Sequence, residues 1–230
     1  MPHDHDHGHG HDHGHDHGHS PSGHPYRKDD DGPLTHWQRM EIAVRELLVE
    51  KGIVTRDEIT AQIARMDSRS PALGAAVVAR AWTEPDYKAR LLADGSAAAV
   101  EMGAEVEAMK LVVVENTAAV HNVVVCTLCS CYPRNLIGLP PDWYKARAYR
   151  ARMVREPRKV LAEFGLVLGE GVQLRVHDST ADMRYLVLPA RPAGTEGWDA
   201  ARLAGLVTRD AMIGVALARA PEEAAAAAAE

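Results

Sequence analysis

All three cysteines of this 230-residue chain lie within six positions, at Cys126, Cys129 and Cys131. A disulfide between such close neighbours would constrain almost no loop, and an odd number of cysteines leaves one thiol unpaired. The same spacing suits a metal, because Cys126 and Cys129 form a C-x-x-C pair that can chelate the soft or borderline ions that thiolates prefer to Mg²⁺ and Ca²⁺. The cluster therefore predicts a metal site.

Cys131 makes this motif unusual, since only Ser130 separates it from Cys129. With both thiolates on one ion, the backbone nitrogens of Ser130 and Cys131 are brought to the metal as well. An amide nitrogen binds a metal only when it is deprotonated, which favours a trivalent, strongly Lewis-acidic ion. The alternative is structural zinc, which takes four side-chain ligands, and His121 is the other candidate nearby. Spacing alone leaves both possibilities open.

The segment from Val125 to Pro133 resembles the metal-binding loop of the nitrile hydratase alpha subunit, a family that also contains the gamma subunit of thiocyanate hydrolase. The similarity extends over about residues 35 to 218. Its other motifs are VVARAW at 77–82, VENT at 114–117, GLPPDWYK at 138–145, VREPRKVL at 154–161, RYLVLP at 184–189, RPAGTEGW at 191–198 and VTRD at 207–210. Similarity over so much of the chain disfavours a zinc site.

The resemblance implies that the chain is the metal-bearing subunit of a nitrile hydratase, a lyase that converts a nitrile and water into an amide. Cys126 would be the axial ligand, and Cys129 and Cys131 would lie in the metal plane with the amide nitrogens of Ser130 and Cys131. The resemblance also implies that Cys129 is a sulfinate and Cys131 a sulfenate. Oxidised sulfur tunes the metal, and a sulfenate oxygen offers a nucleophile. Cys129, Ser130 and Cys131 are thus the catalytic candidates.

The expected metal is low-spin Co(III) rather than iron. Cobalt-type members of the family resemble this chain at Thr127 and Tyr132, whereas iron-type members have Ser at the position of Thr127. The resemblance also implies partners: a beta subunit in a heterodimer or heterotetramer, an activator or metallochaperone, and a small nitrile substrate. Two arginines of the beta subunit would face the oxidised cysteines, because a buried sulfinate without such pairing is costly.

Arg134 and Asn135 leave the substrate open. Many nitrile hydratases have Trp-Pro at these positions, and the Pro133-Arg134 pair resembles thiocyanate hydrolase more closely. A guanidinium near the pocket would favour an anion such as thiocyanate, whereas an Arg134 that faces solvent or a subunit interface would not affect substrate choice. One alternative is therefore the thiocyanate hydrolase gamma subunit. A second, a cobalt or nickel storage protein, rests on the histidine-rich start of the chain.

Composition limits the remaining function classes. A net charge of −6 at pH 7 and a pI of about 6.1 give no basic surface for nucleic acid. There is no secretory signal and no uncharged apolar run near the ~20 residues that a membrane helix needs. Clustered free thiols suit a reducing compartment. We expect a cytoplasmic protein that binds neither nucleic acid nor membrane.

Changes in composition and periodicity predict four segments. Residues 1–32 are expected to be a disordered His-rich tail and linker, with His at every odd position from 3 to 19 that can bind Ni, Co, Cu or Zn. A helical arm is predicted over 33–104, the metal-binding catalytic domain over 105–218 and an Ala-rich tail over 219–230. The expected fold class is α+β, in which the N-terminal helical arm is followed by a layered α-β-β-α domain.

Periodicity also predicts the individual elements. Capping boxes at Thr35 and Thr55 start two helices, whose apolar stripe packs either on this domain or on another subunit. Further helices are predicted at 72–82, from 85 through 100, at 141–154, at 158–164 and after Trp198, and strands at 111–114, 123–125, 172–176, 184–188 and 212–217. The cysteines then follow directly on the end of a strand.

Six motif residues are expected to be structural. Trp143 and Tyr144 are predicted to be core or interface aromatics rather than substrate contacts. Four arginines are predicted either to bridge to a partner subunit or to bind carboxylates within the domain, namely Arg155, Arg158, Arg184 and Arg191.

Overall fold

The computed structural model describes residues 33–106 and 110–222. Its helices are α1 (His36–Glu50), α2 (Arg56–Asp67), α3 (Ala72–Thr83), α4 (Pro85–Ala93), α5 (Gly95–Val100), α6 (Arg134–Ile137), α7 (Asp142–Lys145), α8 (Arg147–Met153), α9 (Pro157–Glu163), α10 (Ala200–Ala204) and α11 (Arg209–Ile213). Its strands are β1 (Lys110–Glu115), β2 (Val120–Val125), β3 (Gln173–Asp178) and β4 (Met183–Leu188). The predicted His-rich tail and the end of the Ala-rich tail lie outside the described residues. Within them, no helix is long and apolar enough to cross a membrane.

The chain divides after Val54 into two compact units. In the first unit, α1 begins with the predicted capping box: the Thr35 hydroxyl accepts from the Gln38 N–H at 3.3 Å, and the Gln38 side chain accepts from the Thr35 N–H at 2.8 Å. These two bonds satisfy N–H groups that have no partner within the helix. No residue of α1 is buried, and Trp37 is 78% exposed.

The second unit begins at Thr55 with the other predicted capping box. The Thr55 hydroxyl accepts from the Glu58 N–H at 3.1 Å, and the Glu58 carboxylate accepts from the Thr55 N–H at 2.7 Å. The Thr55 N–H and the Thr55 hydroxyl, the latter at 2.9 Å, both donate to the Glu58 carboxylate and hold its pKa below the usual range. Both helix starts that were predicted from local spacing are thus confirmed.

Four strands form two parallel pairs. β1 pairs with β4, in register from Lys110 opposite Met183 to Glu115 opposite Leu188. β2 pairs with β3, and its last residue Val125 lies opposite Asp178. All four strands agree with predicted runs. In β1 and β2 the frequent valines explain the agreement, because β-branched residues favour the pleated backbone. The parallel pairing places the carboxyl ends of β2 and β3 side by side, where the cysteine segment begins.

The strands and the helices around them enclose one main core. Aliphatic side chains fill most of it: Val77 and Val78 of α3 and Val123 and Val125 of β2 are each fully buried. Helix α3 approaches α6 closely, since a Cβ on Gly74 would lie 2.5 Å from the Ile137 side chain. The mixed helix-and-strand class predicted from the sequence is confirmed.

Three predicted elements were wrong. The strand predicted at 212–217 does not form: residues 212 and 213 end α11, whose start is capped by the Thr208 hydroxyl accepting from the Ala211 N–H, Gly214 ends that helix with φ +91°, and residues 214–217 are in neither a helix nor a strand. The helix predicted from 85 through 100 is two helices, since Asp94 is extended and its side chain caps α5. The helix predicted at 141–154 breaks at Ala146, which is also extended. In each case a local cap or a backbone break outweighed a continuous apolar pattern.

Candidate metal centre

The cysteine segment leaves the carboxyl end of β2. Cys126 directly follows the strand and is buried, Cys129 is exposed, and Cys131 is partly buried. Their three Sγ atoms lie within 4.8 Å of one another, at 3.6 Å between Cys126 and Cys129 and 3.2 Å between Cys129 and Cys131. The Cys126 Sγ also accepts from the Cys129 N–H at 3.2 Å. The structure therefore brings together all three predicted thiol ligands.

These sulfur separations fit binding to a single ion. With metal–sulfur bonds of about 2.3 Å, two ligands at a right angle place their sulfur atoms about 3.3 Å apart, and two at the tetrahedral angle about 3.8 Å apart. The 3.2 Å between Cys129 and Cys131 matches the right angle. The thiol donor set thus fits a soft or borderline transition metal and leaves further coordination positions on the exposed side.

The thiols of Cys129 and Cys131 differ in pKa. Burial, followed by the hydrogen bond with Cys129, raises the pKa of Cys131 to about 12. The same hydrogen bond is the main cause that lowers the pKa of Cys129, and the backbone N–H groups of Ser130 and Cys131 add to it. The first thiolate of this pair therefore forms on Cys129, the more exposed of the two.

Asp178 anchors the first half of the segment. Its carboxylate accepts from the Thr127 N–H at 2.9 Å and from the Thr127 hydroxyl at 2.6 Å. The two residues are 51 positions apart in sequence and meet because Asp178 ends β3 beside the end of β2. Arg150 also donates to the Thr127 carbonyl oxygen at 3.3 Å. The position of Thr127 is thus set by side chains from two other elements.

Two buried tyrosines also hold the cysteine segment. The Tyr149 hydroxyl donates to the carbonyl oxygen of Val124, before the cysteines, at 2.7 Å. The Tyr144 hydroxyl donates to the carbonyl oxygen of Cys131 at 2.9 Å. Tyr144 packs against Tyr132, with ring centroids 5.1 Å apart, and Trp143 packs against Tyr149 at 4.9 Å. The prediction that Trp143 and Tyr144 are structural aromatics agrees with these contacts.

His121, the candidate fourth ligand of a zinc site, lies in a separate buried network. One ring nitrogen is 2.8 Å from the Gly214 carbonyl oxygen and the other is 3.2 Å from the Asn116 amide nitrogen. Since an amide nitrogen only donates and a carbonyl oxygen only accepts, the neutral ring donates through Nε2. Burial lowers the pKa of His121 accordingly. His121 is therefore occupied away from the cysteines, and this weighs against zinc.

An open cavity of about 290 Å³ adjoins the outer cysteines. Its lining includes Cys129, Ser130 and Cys131, together with Arg134 and Arg184. The Nε of Arg184 is buried without a hydrogen-bond partner in the described part of the chain, although Nη1 donates to the Ala181 carbonyl oxygen at 2.8 Å. The cavity thus combines an open side of the thiol cluster with two guanidinium groups.

The four arginines that were expected to bridge to a partner or to carboxylates make internal bonds to the backbone. Arg155 donates to Ala151, Arg158 to Leu168 and Arg191 to Trp82, and each acceptor is a carbonyl oxygen. Among the described residues, no carboxylate lies within salt-bridge distance of these arginines or of Arg184. Binding to a carboxylate of the described residues is therefore wrong, and bridging to a partner stays a prediction.

Sequence reasoning missed Asp178, Tyr149 and the anchoring role of Tyr144. Asp178 carried one usable signal, since it is a carboxylate at the end of a predicted strand region. Nothing local indicated that this end lies beside the cysteines. The two tyrosines follow the cysteines by 13 to 23 residues and showed only that they are amphipathic aromatics.

A family model described as "Nitrile hydratase, alpha chain" matches residues 35–216. The chain belongs to this family. It is 51% identical over 184 residues to the low-molecular weight cobalt-containing nitrile hydratase subunit alpha of Rhodococcus rhodochrous, covering 79% of this chain and 89% of that one. It is also 41% identical over 196 residues to the thiocyanate hydrolase subunit gamma of Thiobacillus thioparus, covering 80% and 81% of the two chains.

The structure is similar to solved members of the same family. One is a double mutant of the Fe-type nitrile hydratase from Comamonas testosteroni Ni1, with a TM-score of 0.77 and 45% identity, covering 83% of this chain and 94% of that one. The family resemblance predicted from the cysteine segment is thus confirmed by sequence and by structure. Both cobalt-containing and Fe-type proteins are among the relatives.

Proposed function

We propose that the chain is the metal-bearing subunit of a cobalt nitrile hydratase, which converts a small nitrile and water into an amide. The observation that carries this proposal is the convergence of three sulfur atoms beside an open cavity in a chain of this family. Cys126, Cys129 and Cys131 would hold the ion through sulfur, and Ser130 and Cys131 would also hold it through their amide nitrogens. A bound trivalent cobalt ion would supply Lewis-acid activation for the addition of water.

The protein groups prepare this site in three ways. Asp178 fixes Thr127 through two hydrogen bonds, and Tyr144 fixes the carbonyl group of Cys131. The cavity of about 290 Å³ lies at the lower end of the range for ligand pockets, which favours a small substrate. Arg134 and Arg184 give its wall a positive field, which stabilises the negative charge that develops on the nitrile nitrogen as water adds.

The decisive experiment is expression with a beta subunit in cobalt medium, followed by acrylonitrile turnover and metal analysis. We expect about one cobalt per chain and formation of acrylamide. Cys126→Ser should abolish both, because the buried sulfur cannot be replaced by solvent. Tyr87→Phe is the control for a change in the core outside the cysteine segment. Tyr87 is buried, and its hydroxyl donates to the Ala98 carbonyl oxygen. Full cobalt loading without turnover of nitriles or thiocyanate would refute an enzymatic function.

We further propose that Cys129 is oxidised to a sulfinate and Cys131 to a sulfenate, which leaves Cys126 as a thiolate. Exposure supports this pattern, because Cys129 is exposed, Cys131 is partly exposed and Cys126 is buried. Mass spectrometry of the active enzyme should find two added oxygen atoms on Cys129, one on Cys131 and none on Cys126. Three fully reduced cysteines in active enzyme would refute this part of the proposal.

The partners and the finer architecture belong to the same proposal. We infer a beta subunit, in a heterodimer or heterotetramer, that places two arginines against the oxidised cysteines, and an activator or metallochaperone that loads cobalt. The exposed apolar side chains of α1, such as Trp37 and Val44, support an N-terminal arm that packs on a partner. We also infer a layered α-β-β-α catalytic domain over 105–218, preceded by the arm at 33–104. The two strand pairs and the helices from α6 to α9 that share their core support the layered domain.

A second candidate, the gamma subunit of thiocyanate hydrolase, is favoured by Arg134, which is exposed and lines the cavity. A charged hydrogen bond to an anion contributes ~1.5–3 kcal/mol, or about tenfold to a hundredfold in affinity. If thiocyanate is a substrate, Arg134→Trp should weaken thiocyanate turnover and anion inhibition by that factor and affect neutral nitriles much less. Arg147→Trp, at an exposed arginine that does not line the cavity, controls for a new surface tryptophan.

The comparison of substrates separates the two candidates. Turnover of acrylonitrile with no turnover of thiocyanate, together with unchanged anion inhibition in Arg134→Trp, would leave nitrile hydration as the function and Arg134 as a structural residue. The reverse substrate preference would establish the thiocyanate alternative.

A further inference from the structure

Tyr144 is a buried residue with a defined hydrogen-bonding task. Its side chain is fully buried, and its hydroxyl donates to the carbonyl oxygen of Cys131 at 2.9 Å. Tyr144 does not line the cavity, so it does not meet a substrate there. Its position instead links the end of the cysteine segment to the interior.

The direction of this bond follows from chemistry. A carbonyl oxygen only accepts, so the single Tyr144 proton is used on Cys131. At the other end of the segment, the Val125 carbonyl oxygen accepts from the Ser179 N–H at 2.7 Å. The cysteine segment is thus held at its far end by a side chain of α7.

The Tyr144 ring has little freedom to move. Its centroid lies 5.1 Å from that of Tyr132 and 5.6 Å from that of Tyr149, and a close-packed interior resists rotation of such a ring. A fixed hydroxyl fixes the carbonyl group that it binds, and with it the ψ angle of Cys131. The ψ angle sets how the sulfur and nitrogen of Cys131 are oriented relative to the residues that follow.

We infer that Tyr144 is a positioning residue that holds Cys131 in the orientation in which its sulfur faces the sulfur of Cys129. Its importance for catalysis rests on the proposed function, whereas its effect on Cys131 does not. Without the hydroxyl, the peptide group after Cys131 turns toward water and the partly buried thiol becomes accessible.

The test compares thiol reactivity in the metal-free full chain. Iodoacetamide labels each cysteine at a rate that peptide mass spectrometry resolves, and the ratio of Cys131 to Cys129 labelling cancels differences between preparations. Tyr144→Phe should raise this ratio about fivefold to tenfold, the factor that one hydrogen bond contributes.

Tyr87→Phe is the matched control, because it also removes a buried hydroxyl that donates to a carbonyl oxygen, at 3.0 Å from Ala98. It should leave the labelling ratio within about twofold of the wild type, on the scale of a hydrogen-bond contribution. In the cobalt-loaded complex, Tyr144→Phe should also shift the sulfur-to-cobalt charge-transfer absorption band. It should lower kcat with little change in KM.

An unchanged labelling ratio in a folded Tyr144→Phe chain would overturn the inference. An equal rise in Tyr87→Phe would overturn it as well, since the effect would then reflect general loss of stability. Because labelling requires no turnover, a wild-type complex without nitrile hydration would refute the proposed function and leave the labelling result to decide the role of Tyr144.

Discussion

The bond pair between Asp178 and Thr127 offers a quantitative test of how the cysteine segment is held. Asp178→Ala removes both acceptors, at 2.9 and 2.6 Å from the Thr127 nitrogen and hydroxyl oxygen. Hydrogen bonds to a charged group contribute ~1.5–3 kcal/mol each, and both residues are exposed, so water recovers part of this energy. We therefore expect a loss of about 2 kcal/mol in the free energy of unfolding. Thr127→Val, which keeps the N–H bond, should cost about half as much.

Urea unfolding of the full chain measures these changes, and a double-mutant cycle isolates the coupling between the two residues. Asp178→Ala combined with Thr127→Val should show a coupling of about 1 kcal/mol, the value of the hydroxyl bond. Asp182→Ala removes an exposed carboxylate nearby and is the matched control. Cobalt loading should fall in Asp178→Ala and stay unchanged in Asp182→Ala. Equal stability of the two alanine variants, or a coupling of zero, would refute the proposed anchor.

Three further predictions concern the fold, its pH dependence and the start of the chain. Gly214→Ala should lower the free energy of unfolding by more than ~3 kcal/mol, because its Cβ would collide with the Asn122 carbonyl oxygen. Gly194→Ala is the control, because Gly194 also has positive φ but a Cβ there would have nothing within 4 Å. In urea unfolding it should cost only about 1 kcal/mol. Burial lowers the pKa values of His121 and His177 in the folded chain, so the unfolded chain binds more protons below about pH 6.5. The free energy of unfolding should therefore be constant from pH 8 to about 7 and fall as the pH drops from about 6.5 toward the lowered pKa values. His177→Gln should flatten this slope. A free energy of unfolding that rises on acidification would contradict the reasoning. Deleting residues 3–19 should lower cobalt loading when cobalt is scarce but leave turnover per bound cobalt unchanged, and a fall in turnover per cobalt would exclude a reservoir role.

The proposed function depends on residues that the sequence brings together only in part. Cys126, Cys129 and Cys131 are close under almost any fold, because at most two residues separate consecutive members. The side chains that hold the cysteine segment, in contrast, come from distant parts of the sequence. Asp178 and Tyr144 reach the segment from β3 and α7, across 51 and 13 residues.

Local chemistry determined several features from the sequence alone. The thiol cluster, the capping boxes at Thr35 and Thr55 and the valine-rich strands β1 and β2 each depend on neighbours within a few residues, so spacing was sufficient to predict them. The family was also evident at this level, since its motifs are contiguous runs around the cysteines.

Only the tertiary structure decided how these parts meet. The parallel pairing of β2 with β3 puts Asp178 beside Thr127, and no periodicity carries strand order or register. The failed strand at 212–217 shows the same limit, because an apolar run suits a buried helix as well as a buried strand, and the Thr208 cap together with the close approach of Gly214 to Asn122 selects the helix. Spacing along the chain therefore determined which ligands this site has, and long-range hydrogen bonds and packing decided how those ligands are held.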